Sequence, residues 1–144
     1  MSTEQAAIVL LYVDDEVFTR QMVEMVLREA GFKLVIAANG AKAMALLEAR
    51  AEAFHGLITG VKLAGGTDGW TVARRARELF SGLPVVYVTG FGSKEWTSHG
   101  VPDSIMIAKP FVPAQIVIAM STLLNAASAE SEGESAVRLA PRAG

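Results

Sequence analysis

The 144-residue sequence predicts an α/β fold, a doubly wound five-stranded parallel sheet covered by helices on both faces. Three observations carry that expectation. Short apolar runs of strand length alternate with amphipathic stretches of helix length along residues 8–126. The fourth run, LPVVYVTG, is dense enough in β-branched residues to imply burial on both faces. With 51 % apolar residues, a chain of this length suits one domain with a proper core.

The elements follow in order. IVLLYV (8–13) is a continuous apolar run stopped by Asp14 and Asp15. In VFTRQMVEMVLREAG (17–31), helical spacing groups Phe18, Met22, Met25, Val26 and Glu29 on one mostly apolar face, and Gly31 ends the helix. KLVIAA (33–38) is the second strand, and Asn39-Gly40 turns it into the helix 41–53. GLIT (56–59) is the third strand and 69–80 the third helix. LPVVYVTG (83–90) is the fourth strand, followed by the polar stretch 93–100, a weak helix. SIMIA (104–108) is the fifth strand, and 112–126 the last helix, with Pro113 tolerated in its first turn. The expected domain spans residues 1–126.

Residues 127–144, rich in Ala, Ser, Glu and Gly, hold too few large apolar side chains to offset ordering entropy, which predicts a disordered, low-complexity tail. A net charge of −2 argues against a general nucleic-acid grip. The absence of cysteine excludes disulfides, thiolate metal sites and cysteine nucleophiles. No apolar run is long enough for a membrane span, and MSTEQ lacks the basic region of a signal peptide, so a cytoplasmic protein without membrane contact is expected.

In a parallel α/β sheet, ligands bind beyond the carboxyl ends of the strands. Those positions hold Asp14 and Asp15, then Gly60, then Thr89 and Gly90, then Lys109 and Pro110. Two carboxylates, a hydroxyl and a lysine converging on one crevice suit a divalent cation and a phosphoryl group.

These stretches, LYVDDE (11–16), LITGVKLAGGTDGW (57–70), VVYVTG (85–90) and IAKPF (107–111), resemble the response-regulator receiver domain, the CheY-like family of two-component signalling, over residues 6–126. The resemblance implies strand order 2-1-3-4-5 and a non-enzymatic role. It implies that Asp14 and Asp15 are the magnesium-binding acids, Thr89 the switch hydroxyl, and Lys109 the phosphate-pairing lysine before a cis bond to Pro110. The acceptor aspartate of the family falls on Gly60. Glycine offers no nucleophile, so phosphorylation is not expected there. Ala64 stands where the family often has proline, and Met106 where it has an aromatic switch residue.

With one carboxylate missing, magnesium is expected to bind weakly or not at all. Lys109 then becomes the natural counterion of the acidic pair, and a direct Lys109–Asp14/Asp15 salt bridge is expected. Asp68 reads as a turn residue and Thr59 as pointing away from the crevice. His55 and His99 are isolated surface residues, and Arg74, Arg75 and Arg77 a solvated face. The leading reading is a stand-alone receiver-like module acting through phosphorylation-independent contacts. Its partner would be a histidine kinase or phosphotransfer protein, engaged through the first helix. Ile118, left over from the last helix's core face of Ile116, Val117, Met120, Leu123 and Leu124, raises homodimerisation or partner docking. The face concerned is that of the fourth helix, fifth strand and fifth helix, with Ile105 and Ile107 close by. Competing readings are an ordinary receiver with an engineered Asp-to-Gly change, a flavodoxin-like cofactor binder, and a magnesium-dependent aspartyl phosphohydrolase using Asp14 or Asp15. The last lacks the usual D-x-D spacing.

Overall fold

The computed structural model describes residues 7–90 and 93–139, with side chains at 7–90 and 95–128. Its elements are β1 (Val9–Val13), α1 (Val17–Glu29), β2 (Lys33–Ala37), α2 (Gly40–Arg50), β3 (Gly56–Gly60), α3 (Gly69–Leu79), β4 (Val85–Thr89), α4 (Ser93–His99), β5 (Ile105–Ala108) and α5 (Ala114–Leu139). All strand pairs are parallel, in the order β2-β1-β3-β4-β5. This is the architecture expected from the alternation of short apolar runs and helices.

Strand alternation divides the core in two. Leu11, Val13, Leu57, Val85 and Tyr87 face α2 and α3, while Leu10, Tyr12, Ile58, Val86 and Val88 face α1 and α5. The helix ends have local causes. Asn39 caps α2 by accepting from Lys42 N at 2.8 Å, and Asp68 caps α3 by accepting from Thr71 N at 2.9 Å. Beyond α1, Gly31 has φ +100°, and Phe32 N returns to Leu27 O at 3.1 Å, which closes the helix end.

Packing on α1 and β5 differs from the sequence expectation. On α1 the fully buried residues are Val23 and Leu27, whereas Phe18, Met22 and Met25 lie outside and are 79 %, 48 % and 56 % exposed. The helix is apolar around more than one face, and packing against β1 and α5 selects the Val23–Leu27 stripe. In β5, Ile105 and Ile107 turn into the α1/α5 core instead of adding to an exposed patch, although Ile118 of α5 is 65 % exposed as expected. Ile116 and Met120 are fully buried, with Val117, Leu123 and Leu124 packed alongside.

The α5 backbone also runs on to Leu139, past the expected end at residue 126. Ala and Glu, frequent in AASAESEGES, are strong helix formers and extend a helix already nucleated by its packed half. The last stretch of the expected tail, 140–144, and residues 1–6 of the expected domain lie outside the described residues.

Candidate functional site

The sheet register builds the site. Val13 pairs with Thr59, Gly60 with Val88, and Thr89 with Ala108, so the chain leaves β1, β3, β4 and β5 at one level. There a cleft of about 230 Å³ is lined by Asp14, Asp15, Glu16, Gly60, Lys62, Thr89 and Lys109, among others. A somewhat larger hollow of about 280 Å³ lies between Arg77, Asp103 and the α5 residues Leu123 and Ala126, away from these strand ends. Of the positions singled out in the sequence, Asp14, Asp15, Gly60, Thr89 and Lys109 therefore do meet, whereas Met106 and Pro110 are not among the lining residues. Met106 sits opposite Tyr87 in β5, half-buried against the α2/α3 core.

Asp14 is 5 % exposed, and each of its carboxylate oxygens accepts a hydrogen bond from the protein. Tyr12 Oη donates to Oδ2 at 3.0 Å and Glu16 N to Oδ1 at 2.9 Å, while Arg20 Nη1 donates to the Asp14 carbonyl at 3.0 Å. Burial pushes the Asp14 carboxyl above its ordinary range, opposed by the Glu16 amide, the Tyr12 hydroxyl and the Lys109 charge. Asp15 is exposed and accepts from Ala64 N at 2.9 Å, which ties the loop after β3 to the end of β1.

The expected bridge between Lys109 and the acidic pair is not formed. Lys109 Nζ instead meets Glu16 Oε1 at 2.7 Å. Glu16 also accepts from Thr19 Oγ1 at 2.8 Å, and the Lys109 hydrogen bond holds its carboxyl below the usual range. The physical reason is that both Asp14 oxygens already accept within the fold, whereas Glu16, two residues on, exposed and with a longer side chain, is at hand for the ammonium. Glu16 and Tyr12 are thus direct partners of the site residues that sequence reasoning missed. The acidic run Asp14-Asp15-Glu16 contained the first, but only strand alternation next to a buried carboxylate points to the second.

Gly60 ends β3 at the floor of the cleft. A Cβ built there would lie 3.2 Å from Leu63 Cδ2 and 3.7 Å from Val13 O, so the position has room for a side chain. Thr59 is fully buried, donates to Gly60 O at 2.8 Å and does not line the cleft. Asp68 is spent on its helix cap. Thr89 is 5 % exposed at the cleft wall, Lys109 N donates to Thr89 O at 2.7 Å, and the Lys109–Pro110 peptide is cis.

As arranged, the acids do not fit a resident cation. Both Asp14 oxygens accept from the protein, one Asp15 oxygen accepts from Ala64, and Glu16 is held by Lys109. Among the described residues no group of three or more His, Cys, Asp or Glu side chains is disposed to hold a metal. His55 accepts from Val9 N at 3.0 Å through Nδ1, and both histidines are exposed. Arg75 forks onto Glu48 and Glu78, Arg74 reaches His99 O at 3.4 Å, and Arg77 donates to Leu83 O at 2.5 Å and Pro102 O at 2.7 Å. The basic cluster on α3 is thus occupied within the chain.

Residues 10–121 match the family model of the response regulator receiver domain. The transcriptional regulatory protein ResD of Bacillus subtilis is 32 % identical over 124 residues, covering 85 % of this chain and 50 % of ResD. The phosphate regulon transcriptional regulatory protein PhoB of Pseudomonas aeruginosa is 31 % identical over 120 residues, covering 81 % of this chain and 51 % of PhoB. The chain thus spans about half the length of these curated relatives. Among solved structures, a response regulator receiver protein from Sinorhizobium medicae superposes with TM-score 0.81 at 43 % identity, covering 84 % of this chain and 97 % of that one. The chemotaxis response regulator CheY4 of Vibrio cholerae follows at TM-score 0.71 and 25 % identity, with 82 % and 99 % covered. The chain belongs to the response regulator receiver domain family of two-component signalling.

Proposed function

We propose that this chain is an atypical receiver module that works in a phosphorelay by protein–protein contact, without taking up a phosphoryl group itself. The observation that carries the reading is Gly60. It lies on the cleft floor at the end of β3, among Asp14, Asp15, Thr89 and Lys109, and offers no oxygen to phosphorylate. The Lys109–Glu16 pair supports a cleft that is charge-balanced without phosphate, because the lysine already has a carboxylate partner. Cation binding is correspondingly weak, and no step of catalysis is assigned to the chain.

The partner is a histidine kinase or a phosphotransfer protein, engaged through α1. Phe18, Met22 and Met25 are spaced so as to share one outward stripe, with Val17 beside them at 51 % exposed. Aromatic and methionine side chains on an unpartnered helix suit packing against the helices of another protein. Exposed apolar surface is thinner on α4, β5 and α5, where Ile118 stands alone on the described part of the helix, so α1 is favoured over that face for the main contact.

The test incubates the chain with magnesium and a small acyl phosphate donor, beside a Gly60→Asp variant, and reads intact mass. Phosphoryl uptake by the variant alone supports the reading. Uptake by the unaltered chain overturns it, and peptide mapping would then locate the acceptor at Asp14, Asp15 or Asp68.

A further inference from the structure

Tyr12 is the residue that the receiver reading of the cleft leaves unexplained. It is fully buried, its ring belongs to the α1/α5 core, and its hydroxyl is aimed at Asp14 Oδ2, 3.0 Å away. We infer that the Tyr12 hydroxyl stands in for a cation at Asp14, and that Tyr12 is the positioning residue that makes this cleft a poor magnesium site independently of the loss at position 60.

The argument is one of occupancy. A magnesium ion needs carboxylate oxygens that are open to it and to its retained waters, in near-octahedral geometry. Asp14 is 5 % exposed, with a phenol on one oxygen and the Glu16 amide on the other. Neither donor can swing away. The phenol is anchored by its buried ring, and the amide belongs to the main chain at the start of α1. Arg20 adds a further hold on the Asp14 carbonyl at 3.0 Å. A hydrogen bond to a charged acceptor is stronger than a neutral one, and a cation would have to displace it. At the mouth of the cleft, the Lys109 ammonium paired to Glu16 supplies positive charge as well. The chain therefore satisfies its acids with its own donors.

The inference rests on the receiver reading of Asp14 as a metal position but not on Gly60, so the test restores the missing carboxylate first. Magnesium is titrated calorimetrically into Gly60→Asp and into Gly60→Asp/Tyr12→Phe, without any phosphodonor. Phenylalanine keeps the ring that fills the core and removes only the hydroxyl. A third protein, Gly60→Asp/Tyr87→Phe, removes the other buried phenol, whose Oη accepts from Val101 N at 3.1 Å away from the cleft. The double variant lacking the Tyr12 hydroxyl should bind magnesium about tenfold more tightly than Gly60→Asp, as expected for one lost hydrogen bond to a charged group, and the Tyr87 variant should match Gly60→Asp. Affinities of Gly60→Asp and the Tyr12 variant within about twofold of each other overturn the inference, as does an equal gain in the Tyr87 variant. Failure here leaves the phosphodonor experiment untouched. Phosphoryl uptake by the unaltered chain, conversely, would sink the proposed function without altering the magnesium comparison.

Discussion

Two glycines near the cleft differ in whether a side chain could replace them. Gly60 does not have a left-handed backbone, and a Cβ on it would meet the tip of Leu63 at 3.2 Å before anything else, with Val13 O at 3.7 Å and Val88 O at 3.9 Å. A leucine methyl can give by the few tenths of an ångström needed. Replacing Gly60 by alanine also reduces the freedom of the unfolded chain, which at a compatible site stabilises by about 0.4–1 kcal/mol. After subtracting the Leu63 adjustment, Gly60→Ala should be neutral to about 0.5 kcal/mol stabilising. Gly69 is the opposite case. A Cβ there would overlap Gly60 O and lie 2.9 Å from Gly60 C and 3.0 Å from Val61 Cα, all main-chain atoms, while Gly69 N is bonded to Val61 O at 2.7 Å. Nothing there can yield without moving the end of β3, so Gly69→Ala should cost about 3 kcal/mol or more, the upper end for overpacking. Urea denaturation of the two variants, followed by far-ultraviolet circular dichroism, should therefore place their stabilities at least about 3 kcal/mol apart. A Gly60→Ala protein as unstable as Gly69→Ala would refute the reasoning. Glycine at 60 would then be demanded by the backbone and could not be read as a vacated acceptor position.

Gly60→Asp should be less stable than the parent in EDTA, because its carboxylate meets two acids and one lysine already paired with Glu16. One uncompensated like-charge pair at about 4 Å costs about 1–4 kcal/mol between aqueous and protein-like dielectric, and magnesium should recover part of the lost melting temperature, more of it once Tyr12 is also replaced by phenylalanine. A Phe18→Ser change on the exposed stripe of α1 should leave the unfolding free energy within about 0.5 kcal/mol of the parent while weakening capture of a phosphotransfer partner in a pull-down. Trp96→Phe removes the Nε1 donor to Ser104 Oγ at 2.9 Å, and should lower stability in urea by about 1 kcal/mol through the lost bond alone. The Glu48 carboxyl is held below its ordinary range by the Arg75 hydrogen bond, so its contribution is present above the unfolded value of 4.5 and lost as pH falls through the folded one. Glu48→Gln should therefore differ slightly from the parent at neutral pH and converge with it in acid, as read by thermal melts across pH.

The features legible in the sequence were those with a local signature. Strand-length apolar runs, the turn at Asn39-Gly40, Gly31 as a helix end and the acids after β1 are each written in a few neighbouring residues. Their physical causes, side-chain period and unsatisfied helix-end amides, act over the same short range. Which stripe of α1 is buried was not legible. Phe18, Met22 and Met25 match the helical period as well as Val23 and Leu27 do, and only the position of α1 against β1 and α5 decides between them. The length of α5 was not legible for the opposite reason: the composition of residues 127–139 lacks core residues but retains helix propensity, which is enough to continue a helix already begun.

By itself, then, the sequence determined the α/β scaffold, the strand ends that meet in the cleft, and the absence of a nucleophile at Gly60. The tertiary structure alone decided how the remaining charges are satisfied. It directs Lys109 to Glu16 and the Tyr12 hydroxyl to Asp14, and ties Asp15 to the Ala64 amide. The reason lies in the nature of the interactions. Periodicity and nucleophile identity are properties of single segments, whereas a buried charge takes whichever donor the packed elements deliver within hydrogen-bond reach.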